Sequence, residues 1–245
     1  EPHKIKGAGL EFQDYGVFAS HGGNSIRTWT TENGRRTGLE VLDEALKHGL
    51  TVTLCIAIGR ERQGFDYDDE EAVAAQLEFA RNEVMKYKDH PALLAWMIGN
   101  EPNLNFKNPK VFDAINDISK MIHEVDKYHP TTTALAGFNA RLAGLIEERA
   151  PDLDFVSIQM YGAIVNLPRY LKDIGWKKPL FVTEWGSIGH WEVAKTRWGA
   201  PIEPNSTEKA DHYRKSYNDA IASNSGQIIG SYVFLWGQKI GRAHV

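Results

Sequence analysis

The chain has 245 residues, of which 42% are hydrophobic and 24% charged, so its composition is that of an ordinary globular protein. The formal net charge is only -4, and lysine and arginine are interspersed with acidic residues, so no basic stripe could follow a nucleic-acid backbone. No apolar run approaches the roughly 18 residues that a membrane span needs, and no signal-peptide pattern opens the chain. The composition predicts neither a nucleic-acid nor a membrane partner.

Short apolar runs rich in β-branched residues alternate with longer segments of helical periodicity along the chain. This alternation predicts repeated β-α-β units and a parallel sheet. Eight strands in a chain of about 250 residues predict an α/β fold of the closed (β/α)8 TIM barrel type. In chain order the expected strands are residues 4–8, 25–29, 50–58, 93–99, 132–137, 155–161, 180–185 and 228–236.

Two of the intervening helices can be assigned to residues 38–48 and 70–87 from their apolar periodicity. The acidic run at residues 68–71 is interpreted as the start of the second helix, because acidic side chains complement the helix dipole. The apolar residues expected to face inward are Leu39, Leu42 and Leu46 in the first helix and Val73, Leu77, Phe79 and Val84 in the second.

The end of the chain departs from a complete barrel. The last expected strand is followed by only a short tail, so the final C-terminal helix is expected to be missing. Residues 240–245 can be back-translated into a common sequencing-adapter sequence, and we expect this tail to be non-native. The catalytic barrel is thus expected to be a single domain over residues 1–239.

Two glutamates follow the apolar runs of the expected fourth and seventh strands, at Glu101 and Glu184. Catalytic groups of such barrels lie at the carboxyl ends of strands. Glycoside cleavage needs two carboxylates, one to protonate the leaving oxygen and one to attack the anomeric carbon or activate water, and a separation of about 5 Å gives retention. Taken singly, Glu101 could be a helix-start acid, and Glu184 could form a structural ion pair with Arg27.

The strand ends resemble those of clan A glycoside hydrolases, particularly the family 2 catalytic barrel and its family 5 relatives. Asn-Glu-Pro at 100–102 and Thr-Glu-Trp-Gly at 183–186 are similar to the clan's acid/base and nucleophile motifs. Segments 26–29, 159–161 and 235–237 resemble its second-strand arginine, sixth-strand tyrosine and eighth-strand tryptophan motifs. The resemblance spans nearly the whole chain. It implies a retaining glycoside hydrolase that cleaves β-linked oligo- or polysaccharides by double displacement through a covalent glycosyl-enzyme.

The resemblance also implies a role for each matching residue. Glu101 would be the general acid/base, in surroundings that raise its pKa, and Glu184 would be the nucleophile. Arg27 and Tyr161 would donate hydrogen bonds that keep Glu184 ionised and oriented. Asn100 would bind the sugar 2-hydroxyl. Core packing explains a tryptophan as well as sugar binding does. Further candidate substrate contacts are Trp236 from the eighth-strand motif, Trp29, Trp185, and His190 and Trp191 on a long loop over residues 187–205.

Other chemistries lack their motifs in this sequence. There is no zinc-binding, paired-cysteine or glycine-rich phosphate motif, so neither a metal nor a cofactor is expected, and no Gly-x-Ser-x-Gly elbow favours a serine hydrolase. Two alternatives stay open, a transglycosylase that uses the same two glutamates and an inactive carbohydrate-binding barrel. The expected partner is a carbohydrate, for which a β-glucan, a galactoside and a mannan are the candidates. Polysaccharide breakdown favours an extracellular or periplasmic location.

Overall fold

Eight short parallel strands form the centre of the protein and pair in chain order. The structure is a computed structural model and describes residues 4–237. The first strand pairs with both the second and the eighth, which closes the sheet and confirms the predicted (β/α)8 barrel. The strands are β1 Ile5–Gly9, β2 Ser25–Arg27, β3 Thr51–Ile56, β4 Leu93–Asn100, β5 Thr131–Ala136, β6 Val156–Gln159, β7 Leu180–Trp185 and β8 Ile228–Val233.

Within residues 4–237, seven α-helices follow the first seven strands and cover the outside of the barrel. They are α1 Tyr15–Ser20, α2 Gly38–Lys47, α3 Glu70–Tyr87, α4 Lys110–Val125, α5 Ala140–Arg149, α6 Leu167–Ile174 and α7 Ser206–Ser216. The expectations for the chain end, a missing final helix and a non-native tail at 240–245, lie outside the described residues.

Helix α3 begins where the acidic run predicts. The Asp69 carboxylate accepts the backbone N–H of Ala72 at 3.0 Å, and Glu70 and Glu71 occupy the first turn. The interpretation of this run as a helix start is confirmed, since both effects stabilise the exposed amides of a helix N-terminus.

The inward faces of two helices were predicted only in part. Leu42 of α2 is fully buried, as is Val84 of α3, whereas Leu39 is 50% exposed, and Leu46 and Phe79 are each 46% exposed. The prediction was wrong for these last three residues. In α2 the small and medium-sized residues Gly38, Val41, Leu42 and Ala45 form the buried face, because their i, i+3, i+4, i+7 spacing defines one side of a helix.

The barrel interior changes from apolar to polar along its axis. Near the amino-terminal ends of β6 and β7, Phe155 and Phe181 form a buried cluster with Tyr232 of β8. The Tyr232 hydroxyl lies 3.0 Å from the Ser25 hydroxyl and 2.7 Å from that of Thr53. Above this layer the interior holds the charged groups of the carboxyl end, where the candidate site lies.

Candidate active site

Glu101 and Glu184 line the same pocket at the carboxyl end of the strands. The pocket has a volume of about 960 Å³, enough for a ligand of several rings. Glu101 follows β4 and Glu184 lies near the end of β7, so barrel closure brings together two residues that are distant in sequence.

Both strands that carry a glutamate contain an irregularity immediately before it. Between Met97 and Asn100, β4 advances three residues while its neighbour β5 advances two. The register of β7 likewise shifts against both of its neighbours around Glu184. On β4 the extra residue is accommodated by Gly99, whose φ of 75° suits glycine. Such bulges redirect side chains at strand ends, and here they aim both carboxylates into the pocket.

Three donors bind the two oxygens of the buried Glu184 carboxylate. Arg27 Nη1 donates to Oε1 at 2.9 Å, and the indole N–H of Trp29 donates to the same oxygen at 2.8 Å. The Tyr161 hydroxyl donates to Oε2 at 2.8 Å. Burial, followed by the charge of Glu184, raises the pKa of Tyr161 far above its usual range, so this hydroxyl stays protonated. Together the three donors fix the orientation of the Glu184 carboxylate.

Arg27 connects the nucleophile candidate to Asn100. Its side chain is fully buried, and Nη2 donates to Asn100 Oδ1 at 2.6 Å. The same oxygen accepts from Gln159 Nε2 at 2.7 Å. Two donors at one oxygen fix the orientation of the Asn100 amide, which leaves Nδ2 as the group able to donate to a ligand. Gln159 was not singled out from the sequence, although it lies within the 159–161 motif.

Glu101 has a different environment from Glu184. Its backbone adopts a left-handed conformation with φ 52°, and its amide donates to the carbonyl of Ala134 at 2.8 Å. The only cation in ion-pair range among the described residues is Arg62, at 3.7 Å. Burial, and then the negative charge of Glu184, raise the pKa of Glu101, while nearby arginines lower it. Glu101 therefore holds a proton more readily than an exposed glutamate does.

Aromatic side chains form much of the rest of the site. Trp191 and His190 line the pocket, and the Trp191 ring meets the ring of Tyr161 edge-on at 5.2 Å between centroids. Phe234 also lines it and packs edge-on against Trp29 and Tyr161, at 5.9 Å from each. Phe234 was missed from the sequence, and the aromatic motif around it is the signal that could have identified it.

Trp185 does not contact the pocket, so its prediction as a substrate contact was wrong. Its ring packs against Tyr213 and Tyr217 on the outer side of the barrel, at 5.8 and 6.0 Å between centroids. Consecutive strand residues point to opposite faces. Because Glu184 faces the pocket, Trp185 must face the helix layer.

Trp236 was also wrongly predicted to face the substrate. It packs against Phe18 of α1 and against His21, at 5.3 and 5.5 Å between ring centroids. Strand β8 ends at Val233, before the predicted end at residue 236, and Phe234 and Leu235 rather than Trp236 line the pocket.

A family model described as "Glycosyl hydrolases family 2, TIM barrel domain" matches residues 10–217. The chain belongs to this family. The resemblance to family 2 drawn from the strand ends is thereby confirmed. Among curated proteins, a probable mannan endo-1,4-beta-mannosidase A-2 of Aspergillus terreus is 26% identical over 126 residues, which are 51% of this chain and 30% of that protein.

Solved structures share the architecture of this family 2 barrel. A β-D-glucuronidase of Dictyoglomus thermophilum aligns over 99% of this chain and 46% of its own, with a TM-score of 0.71 and 15% identity. A β-galacturonidase of Eisenbergiella tayi, bound to galacturonate, aligns over 95% of this chain and 43% of its own, with a TM-score of 0.67 and 18% identity. At these identities the likeness shows the fold alone. The chain spans less than half the length of each of these relatives.

Within residues 4–237, no group of three or more His, Cys, Asp or Glu side chains is placed to hold a metal ion. Over the same range, no helix is both long and apolar enough to span a bilayer.

Proposed function

We propose that this family 2 barrel hydrolyses β-linked glycosides with retention of configuration, using Glu184 as nucleophile and Glu101 as general acid/base. The observation that carries this proposal is the unequal setting of two carboxylates in one pocket. Glu184 binds three donors, whereas Glu101 is held only loosely by Arg62 and has a raised pKa. Such a pair separates the roles of ionised nucleophile and protonated acid.

The first step would cleave the glycosidic bond. The Glu184 carboxylate attacks the anomeric carbon while Glu101 gives its proton to the departing oxygen, so that the leaving group departs as an alcohol. Asn100 Nδ2, oriented by Arg27 and Gln159, is placed to donate to the sugar 2-hydroxyl. That hydrogen bond gains strength in the transition state.

The second step would release the sugar. Glu101, now ionised, accepts a proton from water as the water oxygen attacks the anomeric carbon. The bond from that carbon to the Glu184 oxygen breaks, and both carboxyl groups return to their starting states. Two inversions at one carbon give net retention.

The substrate proposal follows from the relatives as well as from the site. The named relatives act on mannan, glucuronides or galacturonides. The test panel therefore contains β-glucans, β-mannans and aryl β-glycosides of glucose, galactose, mannose, glucuronic acid and galacturonic acid. If NMR shows that the β-anomer of the product forms first, the result supports the proposal. An α-anomer would overturn the role of Glu184, and inactivity of the folded protein on every member would count against the whole proposal.

Glu101→Gln is expected to lower kcat/KM on substrates with poor leaving groups by roughly 10²- to 10⁴-fold, because no proton reaches the departing oxygen. Aryl glycosides with acidic phenol leaving groups need that proton less, so their first step should be affected far less. Rates of the bond-cleaving step on a matched series of leaving groups measure the difference. Glu124→Gln, on the exposed surface of α4, is the control. An equal loss for all leaving groups would argue against Glu101 as the acid.

Arg62→Gln is expected to move the alkaline limb of the pH profile to higher pH. Glu101 acts as an acid only when protonated, so activity falls as pH rises through its pKa. The positive charge of Arg62 lowers this pKa, and its removal leaves burial and the charge of Glu184 to raise it further. The pH dependence of kcat/KM measures the shift for the free enzyme.

The matched control for this shift is Arg81→Gln. Arg81 forms an ion pair with Glu124 at 3.5 Å on the outer helices. Removing its charge should leave the alkaline limb in place. A limb that moves to lower pH in Arg62→Gln would contradict the assignment of that limb to Glu101.

A further inference from the structure

We propose that Glu192 is a positioning residue that holds Trp191 as an aromatic platform for a sugar ring beside the two glutamates. This inference rests on the proposed function and extends it to the loop that follows β7. Neither residue belongs to a strand or an α-helix, so the position of the platform depends on contacts made by the loop itself.

The Glu192 carboxylate binds backbone amides from two separate segments. Oε2 accepts the N–H of Gly162 and the N–H of Gly189, each at 2.9 Å, and Oε1 accepts the N–H of Ala163 at 3.3 Å. Gly162 and Ala163 directly follow Tyr161, which donates to Glu184. One carboxylate therefore ties the loop after β7 to the turn after β6.

The same residue closes a tight turn around Trp191. The backbone N–H of Glu192 donates to the carbonyl of Gly189 at 2.9 Å, so both sides of Trp191 are fixed. The indole lies directly over Gly189, where an added Cβ would come within 2.5 Å of the ring. A glycine at this position is what permits the ring to lie so close to the backbone.

Trp191 is held in place and yet remains open to a ligand. Its side chain is 60% exposed while its ring contacts Tyr161 edge-on. A large exposed ring on an unconstrained loop would lose conformational freedom when it binds a ligand, and this loss weakens binding. Fixing the backbone on both sides of the ring reduces the loss. The flat apolar surface that remains accessible suits the C–H groups of a sugar.

Glu192→Ala is expected to raise KM by roughly 3- to 10-fold on the best substrate of the panel, with a much smaller change in kcat. Glu192→Gln keeps one carbonyl oxygen able to accept from both Gly162 and Gly189 and should restore most of the affinity. Asp211→Asn removes the same charge from α7, which follows this loop, where Asp211 accepts from Arg214 at 2.8 Å, and serves as the charge control.

A double-mutant cycle with Trp191→Ala tests whether Glu192 acts through the platform. If it does, the double variant has the KM of Trp191→Ala alone, because no ring is left to position. Gly162→Ala perturbs the hydrogen bonds of the Glu192 carboxylate from the turn after β6, since its Cβ would lie 3.1 Å from Glu192 Oε1. If Glu192→Ala fails to fold, Gly162→Ala provides a second test and should also raise KM.

The outcomes separate this inference from the proposed function. Wild-type KM in Glu192→Ala, or effects of Glu192→Ala and Trp191→Ala that simply add, would overturn the inference while leaving the function intact. A fall in kcat in Glu192→Ala with KM unchanged would also overturn the inference, because that result would indicate a role in the chemical steps. Inactivity of the wild-type protein on every glycoside would remove the proposed function and this inference with it.

Discussion

Replacement of Glu184 by Gln is expected to lower kcat by roughly 10⁴-fold or more. An amide cannot form the covalent bond to the anomeric carbon on which the proposed mechanism depends. The substitution preserves the size of the side chain. The glutamine oxygen can still accept from Arg27 and Trp29, and its amide can donate to Tyr161, whose hydroxyl can reverse its role. The fold should therefore persist, and steady-state rates with circular dichroism measure both points.

A buried glutamate outside the pocket provides the control for this loss. Glu83 of α3 is 5% exposed and binds the Thr31 hydroxyl and Lys86. Glu83→Gln removes a comparable buried carboxylate, so it should affect stability but leave kcat little changed. Retention of substantial activity in folded Glu184→Gln would show that the attacking group is another one.

The strands and the two glutamates could be predicted because their signals are local. Strand β7 has the bounds that its apolar run predicts, residues 180–185, and Glu184 falls at its end. Once the barrel is inferred, the position of a residue along a parallel strand determines which end of the barrel it occupies. No contact distant in sequence is needed for this step.

The direction of individual side chains was harder to predict, because one residue of offset turns a strand side chain to the other face. Strand β8 ends at Val233, so strict alternation no longer sets the direction of Trp236, and Phe234 and Leu235 line the pocket instead. The register of β4 and β7 shifts next to Glu101 and Glu184, so alternation alone would not give the direction of either side chain. A hydropathy pattern does not record such an extra residue.

Contacts made by loops carry still less local signal. Glu192 binds amides about 30 residues earlier in the chain, at Gly162 and Ala163. Gln159 reaches Asn100 from another strand. Nothing adjacent to either residue in the sequence specifies these partners, because barrel closure creates them.

Arg27→Met is expected to lower the free energy of unfolding by about 3–5 kcal/mol, the usual cost of removing one partner of a buried ion pair. The Arg27 side chain is fully buried, and its guanidinium donates to Glu184, to Asn100 and to the carbonyl oxygens of Thr28 and Thr183. Methionine has similar length but no donor. The variant would leave the Glu184 charge buried with only neutral donors.

The combination of Arg27→Met with Glu184→Gln separates charge from packing. If most of the loss comes from an uncompensated carboxylate, neutralising Glu184 should restore part of the stability, so the double variant should unfold less easily than Arg27→Met alone. Urea unfolding of the four proteins gives the coupling energy. Losses that simply add would mean that Arg27 stabilises the site through its hydrogen bonds to Asn100 and the backbone. In that case the positive charge of Arg27 would orient the Glu184 carboxylate rather than stabilise the fold.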